Sequence, residues 1–357
     1  MNNKKNKVLV AMSGGVDSSV AAALLKQKGF EVVGIYMRML PDAVQKNNDR
    51  SKQISALAAS FLGIEHFSID LSQKFKSQII GYFIKEYSRG RTPNPCVKCN
   101  PFIKFDALLE ESKKIEADCI ATGHYIRIKK KPDSPEFYIK KGRDKKKDQS
   151  YFLYLLTQKH IKRALMPLGD KRKEWVIKKA QELNLPAVPG KESQEICFIP
   201  DNDYVSFIKK AFLDGFKQGP ILDTKGSVLG EHQGYARFTV GQRRGLGIAA
   251  SRPLYVLEIN PKTNTVVVGP EENLYKKTLT ASKINWISGQ TLKYPLKVKA
   301  QIRYNHNPQE AVVRPIGSEL VQVEFQRSQR AITPGQSVVF YDGDVLLGGG
   351  TIIKSQA

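Results

Sequence analysis

Apolar positions follow two different rhythms along the chain. Through residue 213, short fully apolar runs alternate with helical stretches. Lys7-Val8-Leu9-Val10-Ala11-Met12 reads as a buried strand, and Ser19 to Lys26 reads as a helix ended by Gly29. Val32 to Met37 is a second strand, Ile54 to Leu62 a helix closed by Gly63, and His66 to Asp70 a third strand. Asp118 to Gly123 is a further strand ending in glycine. Strands alternating with helices predict an α/β fold with a doubly wound parallel sheet. Ligands in such sheets gather at the C-terminal strand edge, where the loop at 13–18, Met37 and Gly123 lie.

From residue 214 the rhythm changes. Glycine and proline punctuate short strand-like runs at 219–223, 255–259 and 265–268. Two-residue alternation strengthens at 297–303 and 320–325, and Val338-Val339-Phe340-Tyr341 meets an Asp342-Gly343 turn. The expected division is a catalytic domain over 1–213, a small central β-rich domain over 214–273 and a C-terminal antiparallel β-barrel over 274–357.

The string Ser13-Gly14-Gly15-Val16-Asp17-Ser18 falls between the first strand and the first helix. Glycines let backbone amides turn inward, and the first amides of a helix carry about half a positive charge. Ser13, Ser18 and Ser19 add hydroxyl donors. The pocket suits phosphate or pyrophosphate. No Gly-Lys-Ser/Thr follows, so it is not a Walker A loop, and it is not GxGxxG. It resembles the PP-loop of the ATP pyrophosphatase superfamily, which cleaves ATP between the α- and β-phosphates.

Charge narrows the partner. The 357 residues hold 57 Lys and Arg against 34 Asp and Glu, a net charge of +23. Residues 126–179 alone hold 18 basic and 6 acidic residues. That concentration favours a polyanion such as nucleic acid or an anionic membrane over an evenly lysine-rich surface. No apolar run approaches the ~20 residues that span a bilayer. Met1-Asn2-Asn3-Lys4-Lys5 leads into a strand with no signal-peptide core, so reduced thiols in the cytoplasm are expected.

Four cysteines in a chain this long do not make a disulfide scaffold. Cys96 and Cys99 form a CxxC after the proline-rich Arg91-Thr92-Pro93-Asn94-Pro95. A zinc knuckle needs two further ligands nearby, but Cys119 and Cys197 lie 20 and 98 residues beyond Cys99. A thioredoxin-like pair normally follows a strand and opens a helix, and a chance pair stays open. Cys197, between Ile196 and Phe198, also reads as a core thiol, as does Cys119 in its strand.

Together these stretches resemble the bacterial tRNA-specific 2-thiouridylases over essentially the full length. The resemblance rests on the PP-loop and on GRTPNP with Cys99-Asn100 at 90–100. It also rests on ATGHY at 121–125, KDQSYFLY at 147–154 and SQEICFIP at 193–200. TVGQRRGLG at 239–247, RY at 303–304 and PGQSVVFY at 334–341 complete it. That family replaces the C2 oxygen of the wobble uridine with sulfur, in tRNAs for lysine, glutamate and glutamine.

The resemblance implies that Ala11, Met12, Ser13, Gly14, Gly15, Val16, Asp17 and Ser18 cradle ATP, with Met37 and Gly123 along the adenosine. Asp17 and Ser18 would help hold the phosphates and Mg2+. Cys197 would carry the persulfide sulfur received from a cysteine desulfurase or sulfur relay protein, and Cys99 would be the nucleophile. Asn94, Pro95 and Cys96 would touch the target base. His124, Lys147, Asp148, Gln149, Arg303, Tyr304 and Gln336 would contact tRNA. The attacking sulfur is best served by an electropositive setting.

Two departures stand out. Cys96 occupies a position where many members carry Asp, and a thiol accepts hydrogen bonds only weakly. This raises an alternative in which Cys96, Cys99 and Cys197 ligate a [4Fe-4S] cluster with one open iron site. Residues 39–53 are also shorter and less acidic than expected at the rim of the ATP site.

Overall fold

The computed structural model describes residues 6–41, 48–187, 196–317 and 319–356. Met1 to Lys5, residues 42–47 of the altered rim, and Ser193, Gln194 and Glu195 of the SQEICFIP string lie outside the described residues.

The first sheet is wholly parallel. Its strands are β1 (Lys7–Ala11), β2 (Glu31–Arg38), β3 (Glu65–Asp70), β4 (Cys119–Ala121) and β7 (Ala164–Leu165), in the order β3-β2-β1-β4-β7. Val8, Leu9 and Val10 of the central strand are fully buried, which is why it is continuously apolar rather than alternating. Helix α1 (Val16–Gln27) packs Ala22 and Leu25 against Val8, Val10 and Val32 of the sheet, and α2 (Asn48–Phe61) follows β2. The two-residue β7 is too short to show a period and was not readable from sequence.

A second sheet contains β8 (Gly219–Leu222), β9 (Val228–His232), β10 (Tyr255–Asn260) and β11 (Thr265–Gly269), in the order β10-β11-β8-β9. The third region is a closed antiparallel barrel. Its strands are β12 (Tyr275–Trp286), β13 (Leu296–Gln301), β14 (Gln309–Pro315), β15 (Leu320–Arg330), β16 (Ser337–Asp342) and β17 (Val345–Gln356). They run in the order β12-β15-β14-β13-β16-β17, and β12–β17 pairing closes the ring. Val298, Ala300, Val321, Val323, Phe325 and Phe340 fill its interior from alternate positions.

The basic stretch after β4 differs from the expected continuation of the strand–helix rhythm. It forms an antiparallel hairpin, β5 (Ile126–Lys130) and β6 (Phe137–Lys141), whose β6 pairs with β17 at Ile139↔Leu346 and Lys140↔Val345. The hairpin thereby joins the barrel sheet although it lies early in the chain. Ile126 and Ile139 are fully buried in one core that also holds Leu9 and Ile120 of the parallel sheet and Val339, Tyr341 and Leu346 of the barrel. Tyr151 Oη donates to the Ser337 carbonyl at 3.0 Å, and Gln158 Nε2 donates to the Ile287 carbonyl at 2.7 Å. A core shared by two sheets is a fixed interface, because buried apolar side chains and paired buried polar groups resist separation. Among the described residues, no helix is long and apolar enough to cross a membrane.

Ile139→Ala removes side-chain volume from this shared core. It is expected to cost about 2–5 kcal/mol, read as a lower denaturant midpoint. An unchanged midpoint would show that the hairpin does not seal the two regions together.

Candidate active site

The phosphate loop is already folded. The Ser13 amide donates to Ser18 Oγ at 3.1 Å, and Ser18 Oγ donates to the Gly15 carbonyl at 3.0 Å. Gly15 is the N-cap of α1 and offers no side chain, so the first helical amides have no side-chain cap. Free amides at a helix N-terminus suit an anion. Gly14 has a φ of 81°, and a Cβ there would lie 2.6 Å from the Ser51 carbonyl oxygen of α2, so both shape and space select glycine. At Gly123 a Cβ would lie 3.0 Å from the Asp17 carbonyl carbon and 3.1 Å from the Ser18 nitrogen. Glycine there lets the exit of β4 approach the loop. Ala11 ends β1, Met12 is buried beneath the loop, and Met37 lies on β2 at the same sheet edge.

Asp17 is the one acid of the loop. Lys173 Nζ lies 2.7 Å from both of its carboxylate oxygens, and Tyr125 Oη donates to Oδ1 at 2.7 Å. Lys173 starts the helix Lys173–Glu182, which packs beside α1. Neither partner was singled out from sequence. Tyr125 belongs to the ATGHY string, but Lys173 sits in the run Lys171-Arg172-Lys173 and looks like any solvated lysine.

The thiols lie on the other side of the β4 exit. Cys96 and Cys99 occupy the short helix Pro95–Cys99, with Pro95 at its first position and Asn94 as its N-cap. A π-helical stretch, Asn100–Phe105, follows directly. Cys99 packs in one core with Phe75, Phe83, Ile103, Phe198 and Ile199, so the residues after Cys197 are folded against the Cys99 helix. Cys99 is buried, Cys96 half-buried and Cys197 exposed, and all are free thiols.

Burial pushes the thiols of Cys96 and Cys99 above their ordinary value, and that of Cys197 up to about 12. At Cys197 the neighbouring Cys96 and Cys99 push the same way, and the Lys104 ammonium opposes them. Lys104 also favours the thiolate at Cys96 and Cys99. The expected electropositive setting is thus represented by Lys104, and desolvation outweighs it. Among the described residues no group of three His, Cys, Asp or Glu side chains is arranged to hold a metal ion.

His124 connects the two halves. Its Nδ1 lies 2.7 Å from Thr122 Oγ1, and its ring packs against Phe105 with centroids 5.9 Å apart. Burial, helped by Lys104, pushes its pKa down to about 3, so it is neutral near pH 7. It is a lodged neutral ring rather than a cation for a phosphate.

The remaining candidates surround the loop before the thiol helix. Gln336 Nε2 donates to the Thr92 carbonyl at 2.8 Å, and the Thr92 amide donates to the Pro334 carbonyl at 3.0 Å. Asp148 accepts from the Gly142 amide and from Ser150 Oγ, at 2.8 and 2.7 Å, and burial raises its pKa. Gln149 Oε1 accepts from the Tyr125 amide at 2.9 Å. Tyr304 Oη donates to the Asp148 carbonyl at 3.3 Å and stacks on Phe152 at 4.5 Å. Arg303 donates to the Arg330 and Ala331 carbonyls. The Lys147 amide donates to the Asp144 carbonyl. Asp148 and Arg303 therefore hold the barrel and loops in place as drawn.

A family model described as the tRNA methyl transferase HUP domain matches residues 6–201. The corresponding PRC-barrel domain matches 206–270, and an aminomethyltransferase β-barrel domain matches 276–352. The chain is 50% identical to tRNA-specific 2-thiouridylase MnmA 1 of Caldanaerobacter subterraneus subsp. tengcongensis, over 98% of each chain. It is 44% identical to the MnmA of Clostridioides difficile, again over 98% of each. The chain belongs to the tRNA-specific 2-thiouridylase family. Among solved structures, it is similar to the U34-tRNA thiolase NcsA from Methanococcus maripaludis with its [4Fe-4S] cluster. That likeness has 21% identity and a TM-score of 0.36, covering 58% of this chain and 68% of the other. The three regions of a 2-thiouridylase are thus the parallel sheet, the PRC-type middle sheet and the closed barrel.

The His124 ring resonances are expected to stay flat from pH 8 to pH 5 in an NMR titration. With a folded pKa of about 3 against an ordinary 6.5, the unfolded chain binds more protons between those values. This group therefore costs stability as pH falls through that window. A ring titrating near 6.5 would contradict its placement. Mass-spectrometric alkylation at pH 8 should find Cys197 slower than a free thiol despite its exposure, and slower still in Lys104→Met.

Proposed function

We propose that this chain is an ATP-dependent tRNA 2-thiouridylase that activates the C2 oxygen of the wobble uridine and replaces it with sulfur. Family membership supports tRNA as the substrate class. The observation that carries the chemistry is the β4 exit, Thr122 to Tyr125. Tyr125 holds the acid of the phosphate loop, and the adjacent His124 packs against the helix that follows Cys99. Nucleotide activation and sulfur chemistry are thereby neighbours rather than separate sites.

In this reading the amides at the start of α1 and the serine hydroxyls bind the phosphates of ATP. Mg2+, when bound, neutralises phosphate charge; Asp17 is the acid of the loop suited to it, by exchanging its contact with Lys173. The uracil O2 attacks the α-phosphorus, and pyrophosphate leaves. The former carbonyl oxygen then departs as AMP, a far better leaving group. The outer sulfur of a Cys197 persulfide attacks C2 as AMP leaves. Cys99 thiolate then attacks the Cys197 Sγ, breaking the S–S bond and leaving the sulfur on the base. A Cys99–Cys197 disulfide results, and an external thiol reduces it. Alternatively, Cys99 attacks the Cys197 persulfide first and releases sulfide as the nucleophile. Persulfide delivery by a cysteine desulfurase or relay protein, selection of lysine, glutamate and glutamine tRNAs, and target-base contact by Asn94, Pro95 and Cys96 belong to the same proposal. So do the cytoplasmic setting and the division at 1–213, 214–273 and 274–357.

Unmodified tRNA incubated with the protein, Mg-ATP and a persulfide-generating desulfurase should yield wobble 2-thiouridine by nucleoside mass spectrometry. Cys99→Ala and Cys197→Ala should lose the product while still binding ATP; full thiolation by either variant would overturn the sulfur route. Lys173→Met should weaken ATP binding roughly 10-fold or more, since bonds to charged groups contribute about 1.5–3 kcal/mol. Lys173→Arg should recover part of it. Equal ATP affinity in Lys173→Met would reduce Lys173 to a surface lysine.

A further inference from the structure

The motif at 239–247 has no part in the chemistry above, yet it shapes a cavity in the middle region. Arg243 and Arg252 line it together with Leu246 and Leu254, and no Asp or Glu lines it. Arg243, its neighbour Arg244 and Arg252 are all exposed, and none has a carboxylate partner among the described residues. Two barrel arginines, by contrast, have carboxylate partners. Arg314 Nη1 lies 2.6 Å from Glu324, and Arg330 Nε lies 2.8 Å from Glu271. Exposed guanidiniums with no acid in the cavity lining leave a local positive field that attracts an anion.

The loop is held in shape. Gln242 Oε1 accepts from the Thr239 amide at 3.0 Å, and Gln242 Nε2 donates to the Arg244 carbonyl at 2.9 Å. The Gly241 amide donates to the Val256 carbonyl at 2.8 Å, and the Val256 amide donates back to Gln242 at 2.9 Å. The same loop touches the candidate base-binding segment. Thr239 Oγ1 lies 3.0 Å from Thr92 Oγ1, two residues before Asn94.

We propose that the cavity formed by Arg243 and Arg252, with Arg244 beside it, is a binding site for the phosphodiester backbone of the RNA substrate. The inference rests on the tRNA-thiolating reading. An open cavity bordered by exposed arginines suits a polyanion passing across it, since guanidinium forks match phosphate oxygens. Contacts of this kind fix register and orientation rather than sequence. Through Thr239 and Thr92, the site positions the RNA relative to the loop that carries Asn94, Pro95 and Cys96.

The test is binding of fluorescently labelled, full-length unmodified tRNA to the whole protein across 50–200 mM salt, with no sulfur donor present. Arg243→Ala/Arg252→Ala should weaken binding, and the slope of log affinity against log salt should shallow by about 2, near 0.9 for each lost phosphate contact. Arg243→Lys/Arg252→Lys should keep most of the slope. ATP affinity and melting temperature should match the wild type, which separates lost contacts from lost folding. Wild-type affinity and slope in the alanine variant overturn the inference and leave the functional reading standing. The same holds if the variant is impaired only in donor-dependent turnover, which would assign the arginines to an acidic protein. A wild-type protein that binds no tRNA removes the functional reading and this inference with it.

Discussion

Tyr125 reaching Asp17 across 108 residues of sequence is the contact on which the site depends. It fixes the only acid of the phosphate loop from the exit of the neighbouring strand β4. Gly123 makes the approach feasible, because any side chain there would press on the Asp17–Ser18 backbone. Lys173 closes the arrangement from the far side. The loop therefore keeps its amides open while its carboxylate is held. A helix N-terminus alone would attract an anion, but a fixed carboxylate and an exchangeable ammonium give that anion a defined place.

The sulfur side is governed by a different balance. Three thiols have been drawn towards one helix, and desolvation raises the pKa of each above its ordinary value. Lys104, on the π-helical stretch behind Cys99, is the cation that opposes this at every one of them. His124 stays neutral for the same reason, because an imidazolium beside Lys104 in a desolvated site is doubly unfavourable.

The barrel and middle sheet do more than add surface. Thr92 receives Gln336 and meets Thr239, so both later regions grip the loop that leads into Cys96 and Cys99. The early hairpin β5–β6 is sewn onto β17, and the first core runs without interruption into the barrel. Gln336 and Tyr304, two residues that the family resemblance assigns to tRNA, make such inter-region bonds, to the carbonyls of Thr92 and Asp148.

Local pattern was enough for much of this. The apolar runs at 7–12 and 32–37 read as strands, the first of them buried, and 66–70 as a third strand, which the structure places at the partly exposed edge of the sheet; the glycine-serine string after the first strand reads as a turn with open amides. Alternation at 297–303 and 320–325 specified one-sided strands, hence a barrel or sandwich. These features repeat at short range, so they can be read without knowing what lies across the fold. The partners of those features were not legible. Nothing in Lys171-Arg172-Lys173 distinguishes the lysine that holds Asp17, and nothing in 126–141 announces pairing with a strand some 200 residues later. Nor does the CxxC reveal that burial outweighs positive charge at its sulfurs. Such properties depend on distance and solvent exclusion, which are set only when remote segments pack together. The sequence by itself determined the elements and the chemical groups; tertiary structure decided which groups face each other and in what charge state.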